Sequence, residues 1–236
     1  MKSEPAPSRT SKRDTQPERG DVTRQKLLSA AIDVFGRHGF EGATTRALVN
    51  AAGVNLQAIP YYFGGKEGLY IAAAEHIASL IAQRVEGPRD RARARLAVAA
   101  ERGVPIGADE ARSLLADILQ AMGELFIRSE SEAWARFLIR EQMQPTEAFV
   151  RVYGGTMRPL LEIAQKLIGL ILVEDPSSEH VRLRTLSLLG GVMVFRVAHA
   201  AAMTQLGWTS IGSREVDIIR ALARELVASI GRQGER

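Results

Sequence analysis

Apolar residues in this chain recur every three to four positions, and no stretch alternates in the way a strand does. Leu27, Leu28, Ala31, Val34 and Phe35 form one such stripe, and Ala47, Leu48 and Ala51 a second. The pattern predicts an all-α protein. A first helix starts at Asp21 or Thr23, either of which can cap it, and ends at "RHGF", where Gly39 suits a left-handed exit. A second runs from Thr44 or Thr45 to Gly53, and Asn55 caps a short third. A fourth spans Lys66 to Val85 and stops before Gly87-Pro88. Further helices are expected over 89–102, 107–128, 132–143, 146–172, 177–206 and 214–231, with a break in the fourth of these at Gly154-Gly155 or Pro159. Residues 1–20 lack a hydrophobic period and are expected to be disordered.

Charge sharpens this picture. The chain has 236 residues and a net charge of +4. Residues 1–66 hold ten Lys/Arg against six Asp/Glu, so the whole excess falls in the first quarter. Such a local excess suits a polyanionic partner. Arg9, Lys12, Arg13 and Arg19 make residues 1–20 either a basic arm for a minor groove or a solubilising tail. Arg89, Arg91, Arg93 and Arg95 spread around their helix and read as solvated charge. With no cysteine there is no disulfide scaffold and no thiolate site, which fits a reducing cytoplasm. Apolar runs such as Leu167 to Val173 are far too short to span a bilayer, so no membrane partner is expected. His38, His76, His180 and His199 are scattered without ligand spacing, so neither a metal nor a cofactor is expected.

Residues 44–63 have the layout helix, glycine turn, short helix. In that arrangement the first turn of the second helix meets base edges, and helix N-termini hold phosphates on either side. Thr44, Thr45 and Lys66 are the phosphate-side candidates. Gln57 is the first candidate for base reading, since its amide can pair bidentately with adenine. Ala58 and Leu56 are placed for thymine methyls, with packing under the first helix the alternative for Leu56. Arg46 suits guanine or a nearby phosphate, with a solvent-exposed or Glu41-paired side chain the alternative. Pro60 interrupts this helix: counted from Asn55 as cap it lies in the interior, where a missing donor costs about 3 kcal/mol or more. A short or kinked helix follows, with Tyr61 and Tyr62 redirected beyond the break. The expected core is Phe35, Phe40, Leu48, Val54, Ile59 and Phe63.

The run "TRQKLLSAAIDVFGRHGFEGATTRALVNAAGVNLQAIPYYFGGKEGLY" closely resembles the DNA-binding domain of the TetR family of transcriptional regulators. The marks are "AAIDVFGRHGFEGATTR", "AAGVN" and "YYFGGKEGLY". Farther on, "FLIREQMQPTEAF" resembles the effector domain of the CecR-like subgroup. The resemblance implies a homodimeric regulator, most often a repressor, on a pseudo-palindromic double-stranded DNA operator. It also implies a small-molecule effector, with antibiotics or other xenobiotics as the class, and coupling through the fourth helix. Asn55 falls on the family's cap position. Pro60 stands where the family commonly has a phosphate-gripping Tyr, so Tyr61 is the expected substitute, with Tyr62 and Phe63 partly in the core. Three parts are expected: an arm (1–20), a three-helix helix-turn-helix domain (21–66) and a larger helical effector-binding and dimerisation domain (67–236).

In that larger domain the rings gather between residues 126 and 153. Phe126, Trp134, Phe137, Phe149 and Tyr153, with Arg140, Glu141 and Met157, are the expected effector pocket; an ordinary core with Arg140 and Glu141 paired at its edge is the alternative. Met122 and Leu161 would supply adaptable walls. "LSLLGGVMVFRVAHAAAM" is apolar nearly all round and predicts a helix buried on more than one face. Leu161, Ile168, Leu186, Gly190, Val194 and His199 are the expected dimer interface, against one buried central helix in a monomer. For His199 a core histidine with a backbone partner is an equal reading. A helical enzyme with a basic appendage and a helical adaptor are the rival classes; neither accounts for the 23–70 run.

Overall fold

The computed structural model describes residues 16–231 and divides the chain into two compact units between Ala73 and Ala74. The first unit opens with α1 (Gln16–Gly42). This helix begins inside the stretch expected to be disordered, because Pro17 lies in its first turn, where a proline is tolerated. Arg9, Lys12 and Arg13 lie outside the described residues, as does the side chain of Arg19. Leu27, Leu28, Ala31, Val34 and Phe35 are buried as the stripe requires. Gly39 leaves helical geometry at φ 71°, which ends the regular part of α1.

Next comes α2 (Thr45–Ala52), capped by Thr44, whose hydroxyl accepts from the Ala47 N–H at 3.1 Å. It closes on Gly53 in the left-handed region. The short α3 (Ala58–Phe63) ends at Gly64, and α4 (Lys66–Arg102) begins two residues later. A Cβ at Gly68 would lie 1.8 Å from the Phe63 carbonyl oxygen, so the start of α4 is pressed against the end of α3. Phe35, Phe40 and Tyr70 form an aromatic cluster beside them, Phe35 and Tyr70 meeting edge-on at 4.8 Å. Of the expected core, Phe35, Leu48 and Ile59 are buried, while Phe40, Val54 and Phe63 are half-buried.

The expected break at Gly87-Pro88 is absent: α4 runs through Pro88. Buried Val85 and Ala92 pin it on both sides of the proline. Arg91 pairs with Asp117 at 2.9 Å and Arg95 with Glu110 at 2.6 Å. Those arginines are therefore tied to the next helix rather than merely solvated.

In the second unit α5 (Ala108–Ile127) is central and packs on α8, α9 and α11. Then follow α6 (Glu132–Met143) and α7 (Glu147–Val152). A widened π turn (Tyr153–Met157) joins α7 to α8 (Arg158–Leu172). Here the chain widens rather than breaks. Pro159 has no N–H for the carbonyl four residues back, and it stands where the regular bonding pattern is already interrupted.

The single helix expected over 177–206 is two helices, α9 (Glu179–Val197) and α10 (His199–Leu206), bent by 84° at Ala198. Nor is α9 buried all round: Leu183, Leu186, Met193, Val194 and Val197 are exposed. The last helix, α11 (Ser213–Ala228), buries Val216, Ile219, Ala223 and Val227. Arg220 and Arg224 of α11 reach Glu124 and Gln120 of α5. Among the described residues no single helix is long and apolar enough to cross a membrane, and α9 with α10 passes that test only as a bent pair.

Candidate nucleic-acid interface and apolar cavity

In the first unit the residues between α2 and α4 are set by local backbone chemistry. The Gly53 and Val54 N–H groups return to Asn50 and Val49, which turns the chain sharply after α2. Asn55 then accepts from the Gln57 N–H through Oδ1 at 3.0 Å, an Asx turn that leads into α3. Gln57, not Asn55, occupies the N-cap position: its carbonyl receives the first helical bond, from Tyr61 N–H at 3.1 Å. This corrects the reading of Pro60. Counted from Gln57 it is the third helical residue, one of the positions whose N–H has no intrahelical acceptor in any helix. The helix is short, as expected, but the proline does not break it.

Thr44, Thr45, Arg46, Asn55, Leu56 and Gln57 are exposed, and Tyr61 is 80% exposed. Leu56 is 45% exposed, so any packing of it is partial. Ala58 is half-buried beside buried Ile59. Tyr62 and Phe63 are half-buried, and Tyr61 meets Tyr62 edge-on at 4.8 Å. Lys66 is half-buried with Nζ 4.4 Å above the Phe40 ring, and Arg24 lies 5.5 Å above Phe63. These two cations thus keep their stems on the aromatic core and their charge at its edge.

Within the second unit an apolar cavity of about 300 Å³ lies among α4, α5, α6, the π turn, α8 and α9. Phe126, Trp134 and Met157 line it, with Met122 and Leu161 as further walls. The other expected pocket residues lie elsewhere. On α6 the lining arc is Trp134, Ala135, Leu138, Ile139, Gln142 and Met143, and Phe137, Arg140 and Glu141 fall outside it. Phe137 is core, and Arg140 is exposed. Glu141 is 2% exposed and accepts from Thr146 N–H, Thr146 hydroxyl and Phe149 N–H at 2.9–3.1 Å. It holds the start of α7 and has no lining role. Phe149 and Tyr153 stack on each other at 5.5 Å, with Arg158 over Tyr153.

Of the expected interface residues, Ile168 has no exposed surface and so cannot meet a second copy; it belongs to the core. Leu161 faces the cavity. Leu186 and Val194 are exposed, and Gly190 is half-buried with open space beyond its Cα. His199 is half-buried, its Nδ1 3.2 Å from the Phe195 carbonyl, as the core-histidine reading has it.

One residue was missed. Arg196 of α9 is 8% exposed and lines the cavity. Its Nε and Nη2 donate to the Phe126 and Arg128 carbonyls, both at 2.7 Å, at the C-terminal end of α5. Burial lowers its pKa against a smaller opposing pull from Glu132. The signal was a lone arginine inside the apolar run "VMVFRVA". Among the described residues no group of three or more His, Cys, Asp or Glu could hold a metal ion.

Fold and head together define a helix-turn-helix regulator of transcription. Residues 27–73 match the family model of the bacterial regulatory proteins, tetR family. Residues 111–232 match the C-terminal domain of the HTH-type transcriptional dual regulator CecR. Over 201 residues the chain is 29% identical to CecR of Shigella flexneri, spanning 85% of this chain and 87% of that protein. The head alone is 40% identical over 68 residues to the HTH-type transcriptional repressor NicS of Pseudomonas putida, 29% of this chain and 32% of that protein. Among solved structures, a transcriptional regulator from Pseudomonas aeruginosa PAO1 aligns with a TM-score of 0.58 at 21% identity, over 91% of this chain and 93% of that one. That last likeness concerns the fold alone. The chain belongs to the TetR family and carries a CecR-type C-terminal domain: it is a DNA-binding transcriptional regulator, from a family that is not enzymatic.

Proposed function

We propose that this regulator acts in the cytoplasm as a homodimer on a pseudo-palindromic operator and responds to a small molecule held in the α4–α9 cavity. The observation that carries the reading is the partly open apolar cavity in a chain whose other unit is a DNA-binding head. Base reading is assigned to Gln57 and Ala58, and phosphate contacts to Thr44, Thr45, Arg46, Asn55, Tyr61 and Lys66. The exposed side chains of Leu183, Leu186, Val194 and Val197 on α9 support a second copy as the occupant of that face. Two-fold symmetry then sets half-sites about 34–36 Å apart, or a multiple of that. Ligand control requires different affinity for the two states of the protein, and α4, which runs from one unit into the other, is the assigned route. Repression is the leading outcome; the similarity to a dual regulator favours activation at some promoters as a second.

Footprinting on the DNA flanking the gene tests this directly. A protected palindrome, with affinity falling steeply as salt rises, is the expected result. Salt-independent binding counts against it. Gln57→Ala should relax sequence preference, and Tyr61→Phe should weaken binding to all sequences alike; the reverse pattern refutes the division of labour.

A further inference from the structure

The cavity wall is apolar except at four residues, Gln142, Thr156, Thr185 and Arg196. Gln142 is exposed. The hydroxyls of Thr156 and Thr185 already donate to the Ala78 and Val181 carbonyls, at 3.2 and 2.8 Å. Arg196 is a buried residue with a donor to spare: its Nη1, which keeps some accessible surface, has no partner among the described residues.

Capping the α5 carbonyls explains two of its nitrogens but not the fixed charge. A helix C-terminus offsets part of a nearby cation's desolvation, and a buried charge without an ionic partner stays costly. Among the described residues no carboxylate lies within ion-pair distance of Arg196. Glu132 acts on it only from farther off and is itself paired with Arg136 at 3.0 Å. Arg196 also borders a polar depression whose walls include Arg128, His199, Glu130 and Glu132, with Glu130 paired to Arg84 and Glu132 to Arg136.

Resting on the reading of that cavity as the effector site, we infer that the effector is an elongated apolar molecule with one carboxylate, and that Arg196 receives the carboxylate. The chain lies along Ile81, Leu119, Trp134, Leu138 and Leu188, and a charge-assisted hydrogen bond at its end sets the orientation.

Decanoate and decanol serve as paired probes on the full chain, with binding followed by tryptophan fluorescence, to which Trp134 contributes, and by calorimetry. Decanoate is expected to bind at least about tenfold tighter than decanol, a factor that corresponds to about 1.4 kcal/mol. Arg196→Gln keeps a donor within reach of the Phe126 carbonyl, loses the charge, and should abolish that preference, bringing decanoate down to the affinity of decanol. Equal affinities in the unaltered protein overturn the carboxylate assignment and leave the effector cavity standing. A preference that survives in Arg196→Gln overturns the role of Arg196. Failure of both probes to bind overturns the inference and the cavity reading together. The comparison in the unaltered protein decides the matter if the variant fails to fold.

Discussion

Replacing Pro60 by Ala separates two accounts of the recognition helix that differ by several kcal/mol. If the proline sat in a helix interior, its removal would restore a hydrogen bond and relieve a clash, a gain of about 3 kcal/mol. The structure puts Pro60 at the third position of α3, before the first bonded N–H, which is that of Tyr61. No hydrogen bond is then recovered. Loss of proline's restraint on the unfolded chain costs about 0.4–1 kcal/mol. Freeing Ile59 from its pre-proline restriction works the other way. The expected net change is within about 1 kcal/mol of zero, from the same terms. Tyr61→Pro, one residue later, removes the N–H that donates to Gln57 at 3.1 Å and should cost about 3 kcal/mol. Since the ring of Tyr61 is 80% exposed, little packing is lost with it. Urea unfolding followed by circular dichroism, at one fixed protein concentration and with unchanged m, reads both. A gain above about 2 kcal/mol in Pro60→Ala would refute the placement, since only the interior account supplies that much.

Glu141→Ala strips three donors of their shared acceptor and should destabilise the protein by about 2–4 kcal/mol, while cavity ligands bind as before; lost ligand affinity at unchanged stability would restore the residue to the pocket. Gly68→Ala forces a Cβ against the Phe63 carbonyl oxygen and should cost about 3 kcal/mol, read as a lower melting temperature together with lost DNA binding. For Glu124, burial alone would raise the pKa, but hydrogen bonds from Arg128 and Arg220 outweigh it and hold the carboxyl below its ordinary value. A depressed pKa contributes stability that is complete above the ordinary glutamate range, about 4.3. That share is lost as pH falls below this range and through the native pKa. Glu124→Gln should therefore flatten part of the acid limb of the stability–pH curve, and an unchanged limb would show the triad contributes nothing.

Much of the head was legible because its signals are local. The Thr44 cap, the Gly53 exit and the apolar stripe of α1 each depend on residues within a few positions of one another. Pro60 was misjudged by counting from Asn55, since an Asx turn and a helix cap look alike until the backbone bonds are known. The body was less legible for a different reason. Which arc of α6 faces the cavity depends on where α5, α8 and α9 lie, so Trp134 and Phe137 look equivalent in sequence yet play different parts. Ile168 and Leu186 likewise share a composition but not a location. Neither the continuity of α4 through Pro88 nor the bend at Ala198 follows from local propensity alone. Long-range packing on Val85 and Ala92 settles the first.

The π turn sets the phase of everything after it. The Arg158 N–H bonds to the Tyr153 carbonyl, five residues back, so the chain carries one residue more than a regular helix would. One residue is about 100° of rotation. α8 is therefore rotated relative to a straight continuation of α7, and that offset points Leu160, Leu161 and Ala164 into the cavity. Removing one of Gly154 and Gly155 would erase the offset and swing the cavity wall toward a different face. Side-chain identity along α8 thus has meaning only together with the length of the turn before it: a single-residue deletion there is a change of pocket, written without altering any residue that lines it.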